Sequence, residues 1–398
     1  MSHEMMDWQI PTAVYLHIPF CRQKCLYCDF LSFAGCDSAT MADYLAALEH
    51  EIQAAGSLPT AQVPLQTIYF GGGTPSLLPP EDLRRLLQAL ALSFKLTPDA
   101  EISLEANPGT LHPDDLKTLR QAGFTRISIG LQASQDHLLR RIGRIHNASD
   151  FSKTVRAARA AGFRSISADM MFGLPGQTLD DVADTTDFLL DHQVDHLSYY
   201  GLILEDGTPL AAAAARGELS DLPDDETERT QYHLIRRRLA DAGLEPYEIS
   251  SSARPGHRCR HHLVYWQGRS YYGFGLSAHS YLYGQRRANT ERMTDYLAAF
   301  HHPAEQSSTG QNPFAASSLL ETVDREEAMN EMMLLGLRLT DGVSFNDFAG
   351  RFGTPLTVRY GKVIGALVDR GLLVRDDRGV RLTCLGLDLA NLVFEQFV

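Results

Sequence analysis

Tyr15-Leu-His-Ile-Pro-Phe-Cys21-Arg-Gln-Lys-Cys25-Leu-Tyr-Cys28 is the stretch that decides the fold of this chain. The run Ala13–Ile18 predicts a β-strand, and three of the six cysteines follow it, all within a span of eight residues. In the reducing compartment that we expect, closely spaced thiols hold a metal or a cluster more often than they form disulfides. The stretch therefore predicts a ligand site in the loop after the first strand.

Two kinds of site fit these thiols. Cys21, Cys25 and Cys28 can each hold one iron of a [4Fe–4S] cluster, and the fourth iron then stays open to a small molecule. The alternative is a zinc ion held by the cysteines together with His17 or Asp29. The complete CxxxCxxC spacing favours the cluster.

Composition restricts the class of protein. The 398 residues fit either a barrel of about 250 residues with an addition, or two domains. The net charge of -13 would repel phosphate backbones, so we expect no nucleic-acid partner. No run approaches the roughly 20 apolar residues of a membrane span, and Met1–Trp8 contains no apolar run. We therefore expect a cytoplasmic protein without a transmembrane segment.

Strand and helix patterns alternate along the first half of the chain. The predicted strands are Ala13–Ile18, Thr67–Phe70, Glu101–Glu105, Arg126–Leu131, Ser165–Met171 and His196–Leu204. Apolar residues at spacings of three and four predict the helices Met41–Ile52, Glu81–Leu92, Pro113–Gln121, Phe151–Ala161 and Leu179–Leu190. Such alternation requires a parallel sheet, and near-continuous apolar strands indicate burial on both faces. Six units cannot close an eight-stranded ring, so we predict an α/β fold with a partial (β/α)6 barrel.

The domain organisation follows from where these patterns end. Residues 10–300 are predicted to hold the barrel and an accessory layer. Residues 301–319 are rich in Ser, Pro, Gln and His without periodicity, which predicts a linker or loop. Within 320–398, the helical patterns Glu326–Arg338 and Pro355–Asp369 precede two short strands, an order that predicts a winged-helix-like domain. Acidic residues outnumber basic ones there, so packing or partner docking is expected rather than DNA binding.

Glycine and polar residues stand at the ends of successive predicted strands, where the mouth of a parallel barrel lies. Gly71-Gly-Gly-Thr-Pro75 follows the second strand, and the missing side chains allow a ligand to approach the backbone. Glu105, Gln132 and Asp169 end three later strands, and a buried carboxylate or amide needs a polar partner. Arg144 could meet a carboxylate of the same ligand. The structural alternatives are that these polar residues cap neighbouring loops and that Arg144 lies on the solvated face of a helix.

The cysteine motif resembles that of the radical S-adenosylmethionine (SAM) superfamily. Over nearly its whole length the chain is similar to the oxygen-independent coproporphyrinogen III oxidases and their relatives, and most similar to the HemW-type haem chaperones. The resemblance is carried by Tyr15–Cys21, Gly71–Pro75, Asp169-Met-Met-Phe-Gly-Leu-Pro175 and Gly273-Phe-Gly-Leu-Ser-Ala-His279. The run Gly336-Leu-Arg-Leu-Thr-Asp-Gly-Val-Ser344 is similar to the family's terminal domain.

This resemblance implies a [4Fe–4S] cluster and SAM as cofactors. It also implies which residues contact SAM: Tyr15, Tyr27, Gly72, Gly73, Thr74, Glu105, Gln132, Arg144, Asp169 and Gly201. The oxidases bind two SAM molecules and carry a fourth cysteine two residues after the third. This chain has Phe30 at that position, which argues against oxidase activity.

HemW-type proteins contain an HNxxYW stretch, and this chain has His261-His-Leu-Val-Tyr-Trp266 in its place. An imidazole can coordinate haem iron while aromatic rings pack on the porphyrin face. The resemblance therefore implies a haem site at His261, His262, Tyr265 and Trp266. Either histidine could be the iron ligand, or neither, and an ordinary structural role for the stretch stays open.

We interpret the chain as a haem chaperone that binds haem and delivers it to apo-haemoproteins such as respiratory enzymes. The cluster and SAM would then control conformation or assembly rather than drive porphyrin chemistry. The alternatives are oxidative decarboxylation of coproporphyrinogen III by a SAM-derived radical, and a zinc-stabilised docking protein. The sequence leaves open whether the protein is an enzyme, forms a homodimer or touches a membrane surface peripherally.

Overall fold

The computed structural model of the protein describes residues 9–300 and 312–398. Most of the predicted linker, residues 301–311, lies outside the described residues. The predicted linker also overlaps a strand, because Ser317–Thr322 pairs antiparallel with Gln285–Asn289. A Ser-rich run without clear alternation gave no sign of this strand, whose partner lies about thirty residues earlier in the chain.

The strands of the described residues are numbered in chain order. They are β1 (Ala13–Ile18), β2 (Phe20–Cys21), β3 (Phe33–Ala34), β4 (Leu65–Gly72), β5 (Leu96–Ala106), β6 (Arg126–Gln132), β7 (Ser165–Phe172), β8 (His196–Gly201), β9 (Glu245–Glu248), β10 (Ser251–Ala253), β11 (Tyr272–Phe274), β12 (His279–Leu282), β13 (Gln285–Asn289), β14 (Ser317–Thr322), β15 (Val343–Ser344), β16 (Leu373–Arg375) and β17 (Gly379–Leu382). Every strand predicted for the barrel is present.

The helices connect these strands. They are α1 (Ser38–Ala55), α2 (Pro80–Ser93), α3 (Pro113–Ala122), α4 (Asp136–Arg141), α5 (Ala148–Ala161), α6 (Leu179–Asp191), α7 (Pro209–Ala215), α8 (Asp225–Asp241), α9 (Arg260–Trp266), α10 (Met293–Phe300), α11 (Arg325–Gly336), α12 (Phe345–Phe352), α13 (Leu356–Asp369), α14 (Cys384–Asp388) and α15 (Ala390–Phe394). None of the helices in residues 9–300 and 312–398 combines the length and the apolar character that a membrane crossing needs.

A nine-stranded sheet organises the part of the chain described up to residue 300. Its order is β11-β1-β4-β5-β6-β7-β8-β10-β9. The six strands from β1 to β8 in this order run parallel with helices between them, which confirms the partial (β/α)6 barrel. The edge strands were not predicted as part of it: β11 adds parallel to β1, and β10 and β9 add antiparallel beyond β8. The barrel is therefore wider than six strands and open.

Side chains alternate between the two faces of the barrel strands. Residues such as Ile102, Leu104, Ile127 and Ile129 belong to the apolar core on the helix-covered face. The positions between them are mostly polar and face inward: Thr67, Tyr69, Glu101, Ser103, Glu105, Arg126, Ser128, Gln132, Ser165, Ser167, Asp169, His196 and Ser198. The predicted burial on both faces is confirmed for β6 and for most of β7, but the inward positions are mostly polar, because an open barrel holds a cavity where a closed one packs apolar layers.

A second apolar core lies in the C-terminal part of the chain. It runs from Tyr281 to Phe397 and is separate from the core between the large sheet and its helices. In it α11, α12 and α13 pack with a small sheet of order β15-β17-β16. This order of helices and strands agrees with the predicted winged-helix-like domain.

Glu51 is a buried carboxyl group that fastens α1 to the segment after β11. It accepts hydrogen bonds from Gly275 N at 2.8 Å, Tyr296 OH at 2.6 Å and Asn289 Nδ2 at 2.6 Å. Replacing Glu51 by alanine removes three buried hydrogen bonds and leaves Gly275 N and Tyr296 OH without an acceptor, so we expect the free energy of unfolding to fall by roughly 3–5 kcal/mol. Urea unfolding measures the loss. The matched control is Glu49→Ala on the same helix, and an equal loss in both variants would contradict this role.

Candidate functional site

The first cysteine of the opening stretch, Cys21, ends β2, and Cys25 and Cys28 lie in the loop between β2 and β3. All are free thiols, partly accessible to solvent, and they line a cavity of about 580 Å³ at the mouth of the barrel. Backbone hydrogen bonds fix this loop from two sides: Leu26 N donates to Ile142 O at 3.0 Å, and Leu210 N donates to Leu26 O at 2.9 Å. The fold itself therefore positions the thiols.

A chain of hydrogen bonds connects the first cysteine with a tyrosine that lies between the other two. Thr74 Oγ1 donates to Cys21 Sγ at 3.5 Å and accepts from Asn107 Nδ2 at 3.0 Å. Asn107 Oδ1 accepts from Arg144 Nη1 at 2.7 Å, and Arg144 Nη2 donates to Tyr27 OH at 2.9 Å. Neutral groups thus hold the guanidinium, and its buried Nε has no hydrogen-bond partner within the described chain. Its positive charge is available to an anionic ligand.

Gly72 and Gly73 allow the end of β4 to pass close to β1 and the cysteine loop. A Cβ atom on Gly73 would lie 2.7 Å from Phe20 O. One on Gly72 would lie 2.7 Å from the His17 ring, and the φ of 115° at this position also favours glycine. Any larger residue would force β1 and β4 apart at the mouth.

Glu105 and Asp169 bring two carboxyl groups to the same cavity. Glu105 accepts hydrogen bonds from Tyr69 OH at 2.9 Å and Gly72 N at 3.2 Å, and Asp169 accepts one from Ser128 Oγ at 3.1 Å. Burial raises the pKa of Glu105 to about 7, and the charge of Asp169 adds to this rise. Burial also raises the pKa of Asp169. A cationic ligand would be attracted here, because it stabilises the ionised form of both groups.

Gln132 occupies a strained position at the end of β6. Its φ is 72°, in the left-handed region, and the register between β6 and β7 shifts at this point. Its Oε1 accepts a hydrogen bond from Tyr200 OH at 3.1 Å. Gly130 leaves the room that the side chain needs, since a Cβ there would lie 3.0 Å from Gln132 Nε2. Strain that is kept among converging polar groups is typical of a functional position.

Helix α9 lies on the inner face of the barrel and presents two pairs of side chains. His261 Nε2 and Tyr265 OH, one turn apart, are 2.8 Å from each other, and His261 Nδ1 is 2.9 Å from Thr67 Oγ1. His262 and Trp266 form the other pair and line the 580 Å³ cavity. His262 and Trp266 thus reach the main cavity, whereas His261 and Tyr265 border only the smaller neighbouring cavity, which His262 lines as well.

The two histidines, which the sequence left equivalent, differ in the structure. His261 is fully buried and both of its ring nitrogens have hydrogen-bond partners, so it has no free nitrogen for a metal. His262 faces the cavity, and burial together with the charge of Arg126 lowers its pKa. A neutral imidazole is the form that binds metals. The geometry favours His262 over His261 as a ligand, whereas the sequence left open which of them, if either, binds the iron.

Tyr15 is the one expected SAM contact that does not line the main cavity. It borders a neighbouring cavity of about 190 Å³ with Tyr69, His261 and Tyr265. Its hydroxyl group is 3.0 Å from His17 Nδ1. The other expected residues all line the main cavity: Tyr27, Gly72, Gly73, Thr74, Glu105, Gln132, Arg144, Asp169 and Gly201.

Sequence reasoning missed several cavity residues. They are Asn107, Ser128, Ser198, Tyr200, Glu248 and Arg338. Ser128 and Ser198 have the same parity in their strands as the other inward-facing residues, so the alternation could have identified them. Arg338 comes from the C-terminal domain, and no local pattern of the sequence places it at this cavity.

The alternative zinc site gains no support from the geometry. Within residues 9–300 and 312–398, no three side chains of Cys, His, Asp or Glu converge as ligands of one ion would. His17, a suggested fourth ligand, uses Nδ1 toward Tyr15 OH and Nε2 toward Leu31 O, each at 3.0 Å. A cluster does not need convergence on one point, because each thiolate binds a different iron.

Comparisons with known proteins agree with this architecture. The model of the Radical SAM superfamily matches residues 15–189, and that of the HemN C-terminal domain matches residues 323–389. Heme chaperone HemW from Bacillus subtilis is 37% identical over 387 residues, which are 97% of this chain and 99% of that protein. Heme chaperone HemW from Escherichia coli is 36% identical over 269 residues, 68% of this chain and 70% of that protein.

More distant relatives share the same organisation. The mouse mitochondrial radical S-adenosyl methionine domain-containing protein 1 is 33% identical over 383 residues, 94% of this chain and 84% of that protein. Among solved structures, coproporphyrinogen III oxidase (HemN) from Escherichia coli superimposes with a TM-score of 0.80. The match covers 98% of this chain and 90% of that chain at 22% identity. This likeness supports the fold, including the C-terminal domain.

Proposed function

Because this chain belongs to the family of the haem chaperones HemW within the radical SAM superfamily, we propose that it binds haem and passes it to apo-haemoproteins such as respiratory enzymes. The observation that carries the proposal is the placement of His262 and Trp266. They lie one helical turn apart on α9 and face the same cavity as the three cysteines.

The superfamily implies a [4Fe–4S] cluster and SAM as cofactors, and the residues at the mouth fit both. Cys21, Cys25 and Cys28 are free, adjoin one cavity and would each hold one iron. The cluster leaves one iron for SAM and can supply the electron for its reductive cleavage. The hydroxyl of Thr74, which donates to Cys21 Sγ, would stabilise the thiolate form of that ligand.

Charges of the cavity match those of SAM, which carries a carboxylate, an ammonium group and a sulfonium. Arg144 would bind the carboxylate, because its guanidinium is held by neutral groups and retains a free Nε. Glu105 and Asp169 would receive the cationic amino group or the ribose hydroxyls. The close approach of backbone at Gly72 and Gly73 keeps the space beside the cysteine loop free of side chains.

Haem would lie toward the opposite side of the cavity, on α9. His262 offers a neutral imidazole for the iron, and the indole of Trp266 offers a flat apolar surface for the porphyrin. The apolar side chains of Phe30 and Ile203 also line this cavity although they are 63% and 68% exposed. A cavity lined by both apolar and charged side chains suits a ligand with an apolar macrocycle and charged substituents.

Phe30 further separates this chain from the oxidases that the fold resembles. It occupies the position where those enzymes carry a fourth cysteine, and it borders both the main and the smaller cavity. A phenyl ring offers packing surface but no thiol for radical or proton transfer. Oxidase activity is therefore the rival function, and conversion of coproporphyrinogen III to protoporphyrinogen with SAM and a reductant would establish it.

Haem titration into anaerobically reconstituted protein tests the proposed site. We expect His262→Ala to weaken haem binding by about tenfold or more and to change the Soret band, because an axial ligand is lost. His261→Ala is the control, since both nitrogens of that ring bond within the protein. Unchanged affinity and spectrum in His262→Ala, with loss in a folded His261→Ala, would contradict the assignment.

A further inference from the structure

Arg338 is a cavity residue that the C-terminal domain contributes. It follows α11 in the turn before β15, and its backbone oxygen accepts a hydrogen bond from Ile249 N at 3.1 Å. The next residue, Leu339, forms an antiparallel bridge with Glu248 at the edge of the large sheet. These contacts place the side chain of Arg338 on the cavity wall, with Trp266 and His262.

The guanidinium of Arg338 lies over the indole of Trp266, with 4.5 Å from its central carbon to the ring centroid. Its Nε is buried without a hydrogen-bond partner in the described residues, and the same is true of Trp266 Nε1. Two donors at one end of one cavity are therefore unsatisfied. Buried donors of this kind cost free energy unless a ligand or water accepts from them.

Two other arginines of the C-terminal domain, Arg351 and Arg381, have clear structural partners. Arg351 donates to Gln267 O at 2.8 Å and to Gly268 O at 2.7 Å, which attaches the domain to the end of α9. Arg381 forms an ion pair with Asp376 at 2.5 Å. Arg338 forms no ion pair with a carboxylate in the described parts of the chain, although it lines a cavity of about 580 Å³. The packing of the C-terminal domain therefore does not explain why a charged residue stands at Arg338.

We propose that Arg338 is a carboxylate-binding residue through which the C-terminal domain takes part in the ligand site, and, resting on the proposed function, that the carboxylate is a propionate of haem. A planar guanidinium binds a carboxylate through two parallel hydrogen bonds, and stacking on Trp266 holds it in the required orientation. The same indole would contact the porphyrin. The porphyrin macrocycle would thus contact Trp266, and one of its propionates would bind the adjacent Arg338.

One acidic residue opposes an anion at this end of the cavity. Glu248 also lines the cavity wall, and it is nearly fully buried. Its Oε2 accepts a hydrogen bond from Ser250 N at 2.9 Å, so part of its charge is already compensated by the backbone. Repulsion from Glu248 opposes binding of a propionate here, and the charge-assisted hydrogen bonds from Arg338 would have to exceed it.

The test compares haem with haem dimethyl ester, whose propionates carry no charge, in titrations of reconstituted protein. In the wild type, we expect the ester to bind about tenfold to one-hundredfold more weakly than haem, because a charge-assisted pair is lost. Arg338→Gln should weaken haem binding by a similar factor and leave the affinity for the ester unchanged. Arg338→Lys keeps the positive charge but loses the planar pair of N–H donors. Its affinity for haem should therefore lie between those of the wild type and Arg338→Gln.

Arg370→Gln, an exposed arginine of the same domain, controls for the change in net charge, and thermal unfolding checks that each variant folds. If Arg338→Gln weakens haem and ester equally, the residue acts through structure and the proposal is overturned. Equal binding of haem by the wild type and Arg338→Gln overturns it too, while the haem site itself survives. Absence of haem binding by the wild type would instead overturn the proposed function, and this inference with it.

Discussion

Cys25→Ala protein reconstituted anaerobically with iron and sulfide should contain no stable [4Fe–4S] cluster. The wild type should take up about four irons and four sulfides per chain and show the broad visible absorption of an iron–sulfur cluster. Within the described residues three thiols adjoin the cavity, so losing one leaves two ligands for four irons. We expect iron and sulfide to fall to near background, and SAM binding that depends on the open iron to be lost with them.

Cys384→Ala is the matched control, because Cys384 is an exposed free thiol that does not line the cavity. It should keep the full iron and sulfide content. A normal cluster in Cys25→Ala would show that the ligands are elsewhere. Stoichiometric zinc without sulfide in the wild type would restore the zinc alternative.

Glu105→Gln should weaken SAM binding by about 2–5 kcal/mol, which is roughly 30-fold to several thousandfold in Kd. The carboxylate of Glu105 accepts hydrogen bonds from Tyr69 OH and Gly72 N in the wall of the cavity, so it would meet a cationic group of SAM where water is partly excluded. Glutamine keeps the size and an acceptor but loses the charge. Equilibrium dialysis of SAM against protein with an intact cluster measures the difference.

The pH dependence of SAM binding gives an independent signature of the same residue. Burial raises the pKa of Glu105 to about 7, so this group is protonated below that pH in the free protein. A cation favours the ionised form, so binding releases a proton there, and affinity should rise with pH until about 7 and then level off. The wild type should bind SAM about tenfold more weakly near pH 6 than near pH 8.

Glu105→Gln should lose that part of the pH dependence, whereas any contribution from the titration of SAM itself remains in both proteins. Asp99→Asn, an exposed carboxyl on the same strand, is the control for the change in charge and should behave as the wild type. If Glu105→Gln kept the wild-type affinity and pH profile, the cationic group of SAM would have to bind elsewhere.

The barrel could be predicted because local and global signals agree there. Each of the six parallel strands is an alternating run between amphipathic helices, so spacing alone located them within a few residues. Strand β11 is three residues long and pairs with β1, more than 250 positions away, so no local pattern marks it. The short strands β9 and β10 pair irregularly over three or four residues, and no local pattern marks where one ends and the other begins.

The candidate site was likewise predictable where its residues follow a local pattern in the sequence. Glu105, Gln132 and Asp169 stood out as polar residues at strand ends, and the structure brings them into one cavity. The different surroundings of His261 and His262 could not be read from the motif, because they depend on which face of α9 meets the barrel. Arg338 reaches the cavity only through the contact between two domains. Sequence patterns report local periodicity, and a contact between two domains leaves no periodic signal in the sequence.

The most direct test of the central claim, that the protein carries haem, is a transfer experiment. Reconstituted protein would be loaded with haem, separated from free haem by gel filtration, and then mixed with an apo-haemoprotein. We predict that about one haem per chain elutes with the protein, consistent with a single cavity that joins His262 and Trp266 to the cysteines. The haem should then appear in the acceptor, by its absorption spectrum. Haem that separates from the protein on the column, or stays bound when the acceptor is present, would contradict the account.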